Sequence, residues 1–216
     1  MLKAVIFDLD GVICSTDEYH YEAWKAIADQ IGVPFDRTVN NRLRGVSRMD
    51  SLDIILEQYP GQLSAAEKEA LAEQKNELYK KLLMRMGPQD LTAEVRETLD
   101  TLRRKKMLLA IGSSSKNTPL ILRQLGLEGY FDAVADGNQI THSKPNPEVF
   151  LLAAQLLGMK PENCLVVEDA LAGAQAAHAG GMEAACVGDA ARAGAGDYNL
   201  KCFSQLVTTV EKIEEQ

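Results

Sequence analysis

The chain has 216 residues, of which 46% are hydrophobic and 25% are charged, and its formal net charge is −8. These values are typical of a water-soluble globular protein that is long enough for one large domain or two modest ones. The negative charge argues against nucleic acid or an anionic membrane as a partner, since both bind clustered basic surfaces, and no apolar stretch is long enough to span a bilayer.

The chain begins with a predicted strand that ends at two acidic residues. Residues 4–7 are apolar without alternation, which favours a strand buried on both faces in a parallel sheet. If the chain stays extended, Asp8 and Asp10 project to the same side and need a proton or a cation between them. The alternative is a pair of turn-capping aspartates. Ligands of open parallel sheets bind beyond the carboxyl ends of the strands, so the position favours a catalytic role.

A long helical segment follows this strand. The patterns predict helices over 17–31, 36–44, 48–58, 64–85 and 92–106. The fourth begins with Ser64-Ala65-Ala66-Glu67, a capping-box pattern. A crossover between parallel strands needs about a dozen residues, but far more separate the first strand from the second. We therefore expect a helical cap domain of residues 15–86, inserted into a core domain of residues 1–14 and 87–216, which opens and closes over the strand ends.

Strands and helices alternate in the rest of the chain. Strands are predicted over 107–111, 131–135, 164–167 and 184–187, with helices over 118–125, 146–157 and 170–179, an edge element at 200–203 and a closing helix at 204–214. This alternation predicts an α/β fold with a doubly wound parallel sheet, into which the helical segment is inserted.

Side chains that can take part in catalysis or bind a ligand follow four of the predicted strands. They are Asp8 and Asp10, Ser113, Lys144, and the pair Glu168 and Asp169. Because these strand ends meet at one edge of a sheet, the side chains should lie together. Carboxylates in this number imply a hard cation, and Mg²⁺ is the usual one where phosphate also binds. Lys144 and Ser113 then provide a positive charge and a hydroxyl group for a phosphoryl group.

These motifs resemble those of a known superfamily. In chain order, Asp8-Leu9-Asp10-Gly11-Val12, Ser113, Lys144-Pro145 and Glu168-Asp169 are similar to the four motifs of the haloacid dehalogenase-like phosphotransferases. The resemblance covers nearly the whole chain and implies a Rossmann-like core with a helical cap. Further features are similar to the β-phosphoglucomutases of this superfamily: Thr16-Asp17-Glu18-Tyr19-His20, Trp24, Gly45-Val46-Ser47-Arg48, Ser51-Leu52, Lys75-Asn76 and Ser113-Ser114-Ser115-Lys116-Asn117.

The resemblance implies a two-step phosphoryl transfer that interconverts β-D-glucose 1-phosphate and glucose 6-phosphate through the 1,6-bisphosphate. Asp8 is the implied nucleophile, which forms an aspartyl phosphate, and Asp10 is the implied general acid and base. The implied Mg²⁺ ligands are Asp8, Asp10 through its backbone carbonyl, Glu168 and Asp169. The implied phosphate-binding residues are Ser113, Ser114 and Lys144.

The resemblance also assigns a sugar site and a second phosphate site. The implied substrate-binding residues are His20, Trp24, Gly45, Val46, Ser47, Arg48, Ser51, Lys75, Ser115, Lys116 and Asn117, with Thr16 and His20 supporting Asp10. Simpler interpretations of four of them stay open. Similar cap histidines occur in plain phosphatases, a tryptophan can be a core residue, and Lys75 and Arg48 can be solvated surface residues. Arg44 stands where these mutases usually have lysine.

Two rival functions stay open beside the mutase. In a sugar phosphatase, water intercepts the aspartyl phosphate; in a non-catalytic sugar-phosphate binding protein, only the fold is kept. In each case the expected partner is a small phosphorylated sugar. The four cysteines, Cys14, Cys164, Cys186 and Cys202, have neither paired nor metal-site spacing, so we expect a reducing cytoplasm. No extensive exposed apolar face is indicated, so we expect a monomer.

Overall fold

The computed structural model of the protein describes residues 2–44 and 46–215. Within these residues, six parallel strands form one sheet in the order β3-β2-β1-β4-β5-β6. The strands are β1 Ala4–Phe7, β2 Leu108–Gly112, β3 Ala133–Ala135, β4 Cys164–Glu168, β5 Glu183–Cys186 and β6 Tyr198–Asn199. The predicted fold class is confirmed. The first strand lies at the centre, paired with β2 on one side and β4 on the other, which is the switch point where such sheets bind ligands.

The helices fall into two groups. Between β1 and β2 lie α1 Asp17–Gln30, α2 Arg37–Asn41, α3 Arg48–Leu56, α4 Ala65–Leu83 and α5 Ala93–Arg104. The later helices are α6 Thr118–Gln124, α7 Glu148–Leu156, α8 Leu171–Ala179, α9 Gly188–Arg192 and α10 Gln205–Glu214. Single 3₁₀ turns lie at Pro88–Asp90 and Pro161–Asn163. No helix in the described ranges is both long enough and apolar enough to cross a membrane.

Most predicted elements are present within a few residues of the expected bounds. The predicted edge element at 200–203 is wrong: the edge strand is Tyr198–Asn199, which pairs with Ala185 and Cys186. Leu200 and Phe203 have their side chains in the core instead. The predicted capping box of α4 is confirmed, because Ser64 and Glu67 exchange side-chain to backbone hydrogen bonds.

Side chains of each buried strand alternate between the two faces of the sheet. Val5 and Phe7 pack toward α5, α6 and α10, whereas Ala4 and Ile6 pack toward the small, alanine-rich faces of α7 and α8. Both faces are therefore covered, and the polar groups that follow the strands collect at the carboxyl edge of the sheet.

The helical segment between β1 and α5 has a hydrophobic core of its own. Trp24 and Ile27 of α1, Leu52 of α3 and Leu71 of α4 are buried in this core. The later half of α4 leaves it, since Tyr79 and its neighbours pack into the core beneath the sheet. The helical segment therefore stands over the strand ends while α4 joins it to the rest of the molecule.

Candidate active site

Three carboxylates meet where β1 and β4 end. Asp8 follows β1, Glu168 is the last residue of β4 and Asp169 follows it. One oxygen atom from each of the three lies within 4.8 Å of the others. The two strands are neighbours in the sheet, so their pairing produces this cluster directly. We call these three residues the acidic cluster.

Lys144 is the cation that faces the acidic cluster. Its side chain is buried, and Nζ donates to Asp8 Oδ1 at 2.5 Å and to Glu168 Oε1 at 2.6 Å. Burial raises the pKa of Asp8 well above its ordinary value, although Lys144 opposes the shift. Burial and then Glu168 raise the pKa of Asp169 to about 7. One buried ammonium group therefore does not balance the three carboxylates.

The geometry and chemistry of the acidic cluster fit a hard divalent cation. Both oxygen atoms of Glu168 already accept hydrogen bonds. Oε1 accepts from Lys144, and Oε2 accepts from the backbone N–H groups of Asp169 at 2.9 Å and Ala170 at 3.0 Å. The described hydrogen bonds leave Asp8 Oδ2 and the Asp169 carboxylate for a cation. These hard oxygen donors are of the kind that Mg²⁺ binds. A second cation would also offset the burial and the carboxylate repulsion that together raise the pKa values of Asp8 and Asp169.

Glycine at position 11 lets the chain approach the acidic cluster closely. Gly11 has φ of +91°, a conformation that residues with a Cβ rarely adopt. A Cβ at this position would lie 2.2 Å from Asp169 Oδ2. The first motif therefore needs glycine after its second aspartate for a steric reason.

Asp10 lies outside the acidic cluster and is held by Thr16. The Thr16 N–H donates to Asp10 Oδ1 at 2.7 Å, and the Thr16 hydroxyl donates to Oδ2 at 2.6 Å. Tyr79 donates to the same Thr16 oxygen at 2.9 Å. Burial raises the pKa of Asp10, while the Thr16 hydrogen bonds oppose the shift. The carboxyl group is therefore fixed in orientation and has the raised pKa that suits a general acid and base.

His20 and Lys75 extend this network into the helical segment. Lys75 Nζ lies 2.8 Å from His20 Nδ1, and His20 Nε2 lies 3.7 Å from Asp10 Oδ2. The ammonium group also lies 4.9 Å from the ring centroid of Trp24. Only 3% of Lys75 is exposed, so the interpretation of a solvated lysine is wrong. Trp24 belongs to the core of the helical segment and lines the cleft as well.

A second group of polar side chains comes from the starts of α3 and α6. Arg48 is partly buried, and its Nη1 lies 3.4 Å from Glu73 Oε2. Asn117 donates to Asn76 Oδ1 at 3.0 Å and so links α6 to α4. The turn before α6 is tightened because Ser115 Oγ accepts from the Asn117 N–H at 3.2 Å.

Most of these groups face one cleft of about 840 Å³ between the helical segment and the sheet edge. It is lined by the predicted residues Asp8, Asp10, His20, Trp24, Val46, Ser47, Arg48, Ser51, Lys75, Ser113, Ser114, Ser115, Lys116, Asn117, Lys144, Glu168 and Asp169. Thr16 is fully buried and reaches the cleft only through Asp10. Gly45 lies outside the described residues.

Several residues of the site were not predicted from the sequence. Tyr79 supports Thr16 and packs on His20, with ring centroids 4.1 Å apart. Its spacing of four residues from Lys75 on α4 places both on one helix face, which is a signal that the sequence offers. Glu73 and Asp189 also line the cleft, but nothing local in the sequence indicates this.

We expect His20 to stay neutral in the folded protein at about pH 6. Burial, and then Lys75 and Arg48, hold its pKa well below the ordinary 6.5. Because the unfolded chain takes up a proton near pH 6.5 and the folded chain does not, the contribution of His20 to stability is present above that pH and is lost as the pH falls toward the folded pKa. Nitrogen-15 NMR should show a single proton, on Nε2. Lys75→Met should raise the pKa, and a doubly protonated ring in the native enzyme at this pH would contradict the geometry.

Comparison with known proteins shows which family this chain belongs to. A family model described as a haloacid dehalogenase-like hydrolase matches residues 2–181. The chain belongs to this family. It is 41% identical over 218 residues to a β-phosphoglucomutase of Bacillus subtilis, covering 100% of this chain and 95% of the relative. A crystal structure of a β-phosphoglucomutase from Clostridium difficile matches with a TM-score of 0.93 and 36% identity, covering 100% of this chain and 98% of that one.

Phosphatases are also among the relatives of this chain. A fructose-1-phosphate phosphatase of Escherichia coli is 35% identical over 181 residues, covering 83% of this chain and 93% of the relative. The predicted similarity to β-phosphoglucomutases is confirmed, and the chain is an enzyme of the phosphotransferase and phosphatase class. Because the relatives include both mutases and phosphatases, they do not decide whether the phosphoryl group is transferred to a sugar or to water.

Proposed function

We propose that the chain is a Mg²⁺-dependent β-phosphoglucomutase, which interconverts β-D-glucose 1-phosphate and glucose 6-phosphate through an aspartyl phosphate and the 1,6-bisphosphate. The observation that supports this most is a second group of cationic and amide side chains in the same cleft as Asp8, namely Arg48, Lys116 and Asn117. A mutase has to hold a sugar that carries a phosphate at each end, whereas a phosphatase needs one phosphate site.

The first step of the proposed mechanism takes place at Asp8. Its carboxylate attacks one phosphorus atom of the sugar bisphosphate and releases the sugar monophosphate, and Lys144 supplies positive charge beside it. The acidic cluster would hold the magnesium ion, with the backbone carbonyl of Asp10, and the bound ion supplies charge that reduces the repulsion between phosphate and carboxylate. Ser113 and Ser114 support the phosphoryl group during its transfer.

Asp10 moves the proton in both steps. It protonates the sugar oxygen that leaves the phosphorus atom, and it then takes the proton of the hydroxyl group that attacks the aspartyl phosphate. Thr16 holds the carboxyl group in place for both tasks. The attack of the hydroxyl group forms the bisphosphorylated sugar, which has to turn end for end before Asp8 attacks its other phosphate, so the two phosphates exchange between Lys144 and Arg48.

The remaining predicted residues are proposed to hold the sugar and its second phosphate. His20, Lys75 and Trp24 face the cleft from the helical segment, and Arg48 can bind a phosphate through two nitrogen atoms. The others in this group are Gly45, Val46, Ser47, Ser51, Ser115, Lys116 and Asn117.

The helical segment is proposed to be a mobile cap. We place the cap at residues 15–86 and the core domain at 1–14 and 87–216. The separate hydrophobic core of the helical segment supports this division. Closure would exclude water, which otherwise discharges the aspartyl phosphate.

The cellular setting completes the proposal. The enzyme is proposed to be a cytoplasmic monomer that acts on a small phosphorylated sugar and has neither nucleic acid nor membrane as a partner. The four cysteines support a reducing location, because all of them are free thiols.

A sugar phosphatase is the second candidate. Glu73 favours it, since this carboxylate already lies beside Arg48 and would compete with a second phosphate. The similarity to the Escherichia coli phosphatase supports the same alternative.

One assay decides between the two. The enzyme is given β-glucose 1-phosphate, Mg²⁺ and a trace of the 1,6-bisphosphate, and both glucose 6-phosphate and inorganic phosphate are measured. We expect glucose 6-phosphate to form faster than phosphate. Phosphate that accumulates faster would favour the phosphatase, and a panel of other sugar 1-phosphates would then define the substrate.

A further inference from the structure

Arg44 connects the helical segment to α9, which follows β5 of the sheet. Its Nη2 donates to Asp17 Oδ2 and its Nη1 donates to Asp189 Oδ2, both at 3.1 Å. Asp17 is the first residue of α1, whereas Asp189 lies in α9, beyond β5. The second contact therefore joins parts of the chain 145 residues apart. All three residues line the cleft.

The two carboxylates lie next to the groups that carry the proposed chemistry. Asp17 directly follows Thr16, whose N–H and hydroxyl groups hold Asp10. On the other side, Ala190, next to Asp189, donates its N–H to the backbone oxygen of Asp169 at 2.8 Å. The guanidinium group of Arg44 therefore links two places in the site. One is next to Thr16, which holds Asp10, and the other is next to Ala190, which binds the backbone of Asp169.

Both carboxylates keep another partner when Arg44 moves away. Asp17 Oδ1 accepts from Asn40 at 3.1 Å, and Asp189 Oδ1 accepts from Arg192. Arg44 itself is partly exposed, so water can solvate it in an open form. Opening therefore leaves no charged group buried and unpaired, which is the condition for a contact that forms and breaks in each catalytic cycle.

We propose that Arg44 is a positioning residue that holds the helical segment against the sheet through Asp189 and thereby protects the phosphorylated Asp8 from water. This inference rests on the aspartyl phosphate of the proposed function. In the reaction that is prevented, a water oxygen attacks the phosphorus atom and the bond from phosphorus to the Asp8 oxygen breaks. Hydrogen phosphate leaves, the carboxylate is restored, and one proton of the water passes to Asp10.

Arginine suits this position better than the lysine that is usual in similar mutases. Its two terminal nitrogen atoms reach two carboxylates at once, each with its own hydrogen bond. A single ammonium group at the end of a lysine side chain has no such fork. Arg44→Lys should therefore restore only part of the protection.

The test measures how fast water removes the phosphoryl group from Asp8. The enzyme is phosphorylated with acetyl phosphate in the presence of Mg²⁺, and release of inorganic phosphate is followed without any sugar. We expect Arg44→Gln and Asp189→Asn each to raise the release rate by about three- to tenfold. The double variant should be no faster than the faster single variant, since both changes remove the same contact. Arg44→Lys should give an intermediate rate.

Arg42→Gln is the matched control. Arg42 also donates through both terminal nitrogen atoms, at 2.8 and 2.6 Å, but to the single carboxylate of Glu57 and within the helical segment alone. We expect this variant to release phosphate at the rate of the unchanged enzyme. Raising the salt concentration from about 0.05 to about 0.5 M should speed release in the unchanged enzyme and not in Arg44→Gln.

An unchanged release rate in a folded Arg44→Gln variant would overturn the inference, and so would additive effects in the double variant. Thermal unfolding of each variant separates this outcome from loss of the fold. If the unchanged enzyme forms no glucose 6-phosphate, the mutase proposal fails, but the comparison of release rates still decides the role of Arg44.

Discussion

Replacing Asp8 with alanine should abolish turnover, with kcat lower by about 10⁴-fold or more. The variant has no carboxylate to attack phosphorus, and no other described carboxylate has the same place beside Lys144 at the end of β1. The fold should persist, because Lys144 keeps its hydrogen bond to Glu168 at 2.6 Å. Burial also raises the pKa of Asp8, so the substitution removes a carboxylate whose charged form is disfavoured.

The measurement is kcat with β-glucose 1-phosphate, together with the unfolding temperature. Asp53→Ala serves as a control, since it removes an exposed aspartate that pairs with Lys68 at 2.6 Å on the surface. Turnover that survives in a folded Asp8→Ala variant would remove Asp8 as the nucleophile. Absence of turnover in the unchanged protein as well would support a protein that only binds sugar phosphates.

Replacing Asp10 with asparagine should stall transfer but leave binding intact, with kcat lower by about 10²- to 10⁴-fold. The amide has the size of the carboxyl group but cannot give or take the proton. The affinity for glucose 6-phosphate, measured by calorimetry, should change little. An aryl phosphate with a good leaving group should lose less rate in its first step, because that oxygen leaves without a proton.

Two results would contradict the role of Asp10. Normal kcat in the variant would exclude it as the acid and base. An equal loss of rate with the sugar phosphate and with the aryl phosphate would indicate a structural defect, transmitted through the hydrogen bonds with Thr16, rather than a missing proton.

The acidic cluster and Lys144 were predictable because one physical rule covers them. An unbroken apolar run predicts a buried parallel strand, and the strand ends of such a sheet meet at one edge. Asp8 and Glu168 follow from that rule without knowledge of the helices. The rule predicts at which edge of the sheet these residues lie, but not which atoms contact each other. The hydrogen bonds of Lys144 to both carboxylates are therefore known only from the structure.

Short elements could not be predicted in the same way. The helix Gly188–Arg192 is too short to show a helical period. The strand Tyr198–Asn199 exists through its pairing with β5, and its two residues carry no alternation of their own. The edge element was predicted to begin two residues too late, because the apolar residues Leu200 and Phe203 lie just after the strand.

The helical segment shows where charge patterns mislead. Lys75 lies in a strongly charged helix, and local reasoning favours a solvated side chain. In the structure it is buried between His20 and the rings of Trp24 and Tyr79. Likewise, the partners of Arg44 lie 27 and 145 residues away. Such contacts depend on how the segment is set over the sheet, which no local pattern records.

Mass spectrometry of the enzyme quenched during turnover tests the central claim most directly. The account predicts one added phosphoryl group on the peptide that contains Asp8, formed from the 1,6-bisphosphate and discharged when glucose 6-phosphate is added. Turnover with the Asp8 peptide unmodified, or with the phosphoryl group on another residue, would contradict it.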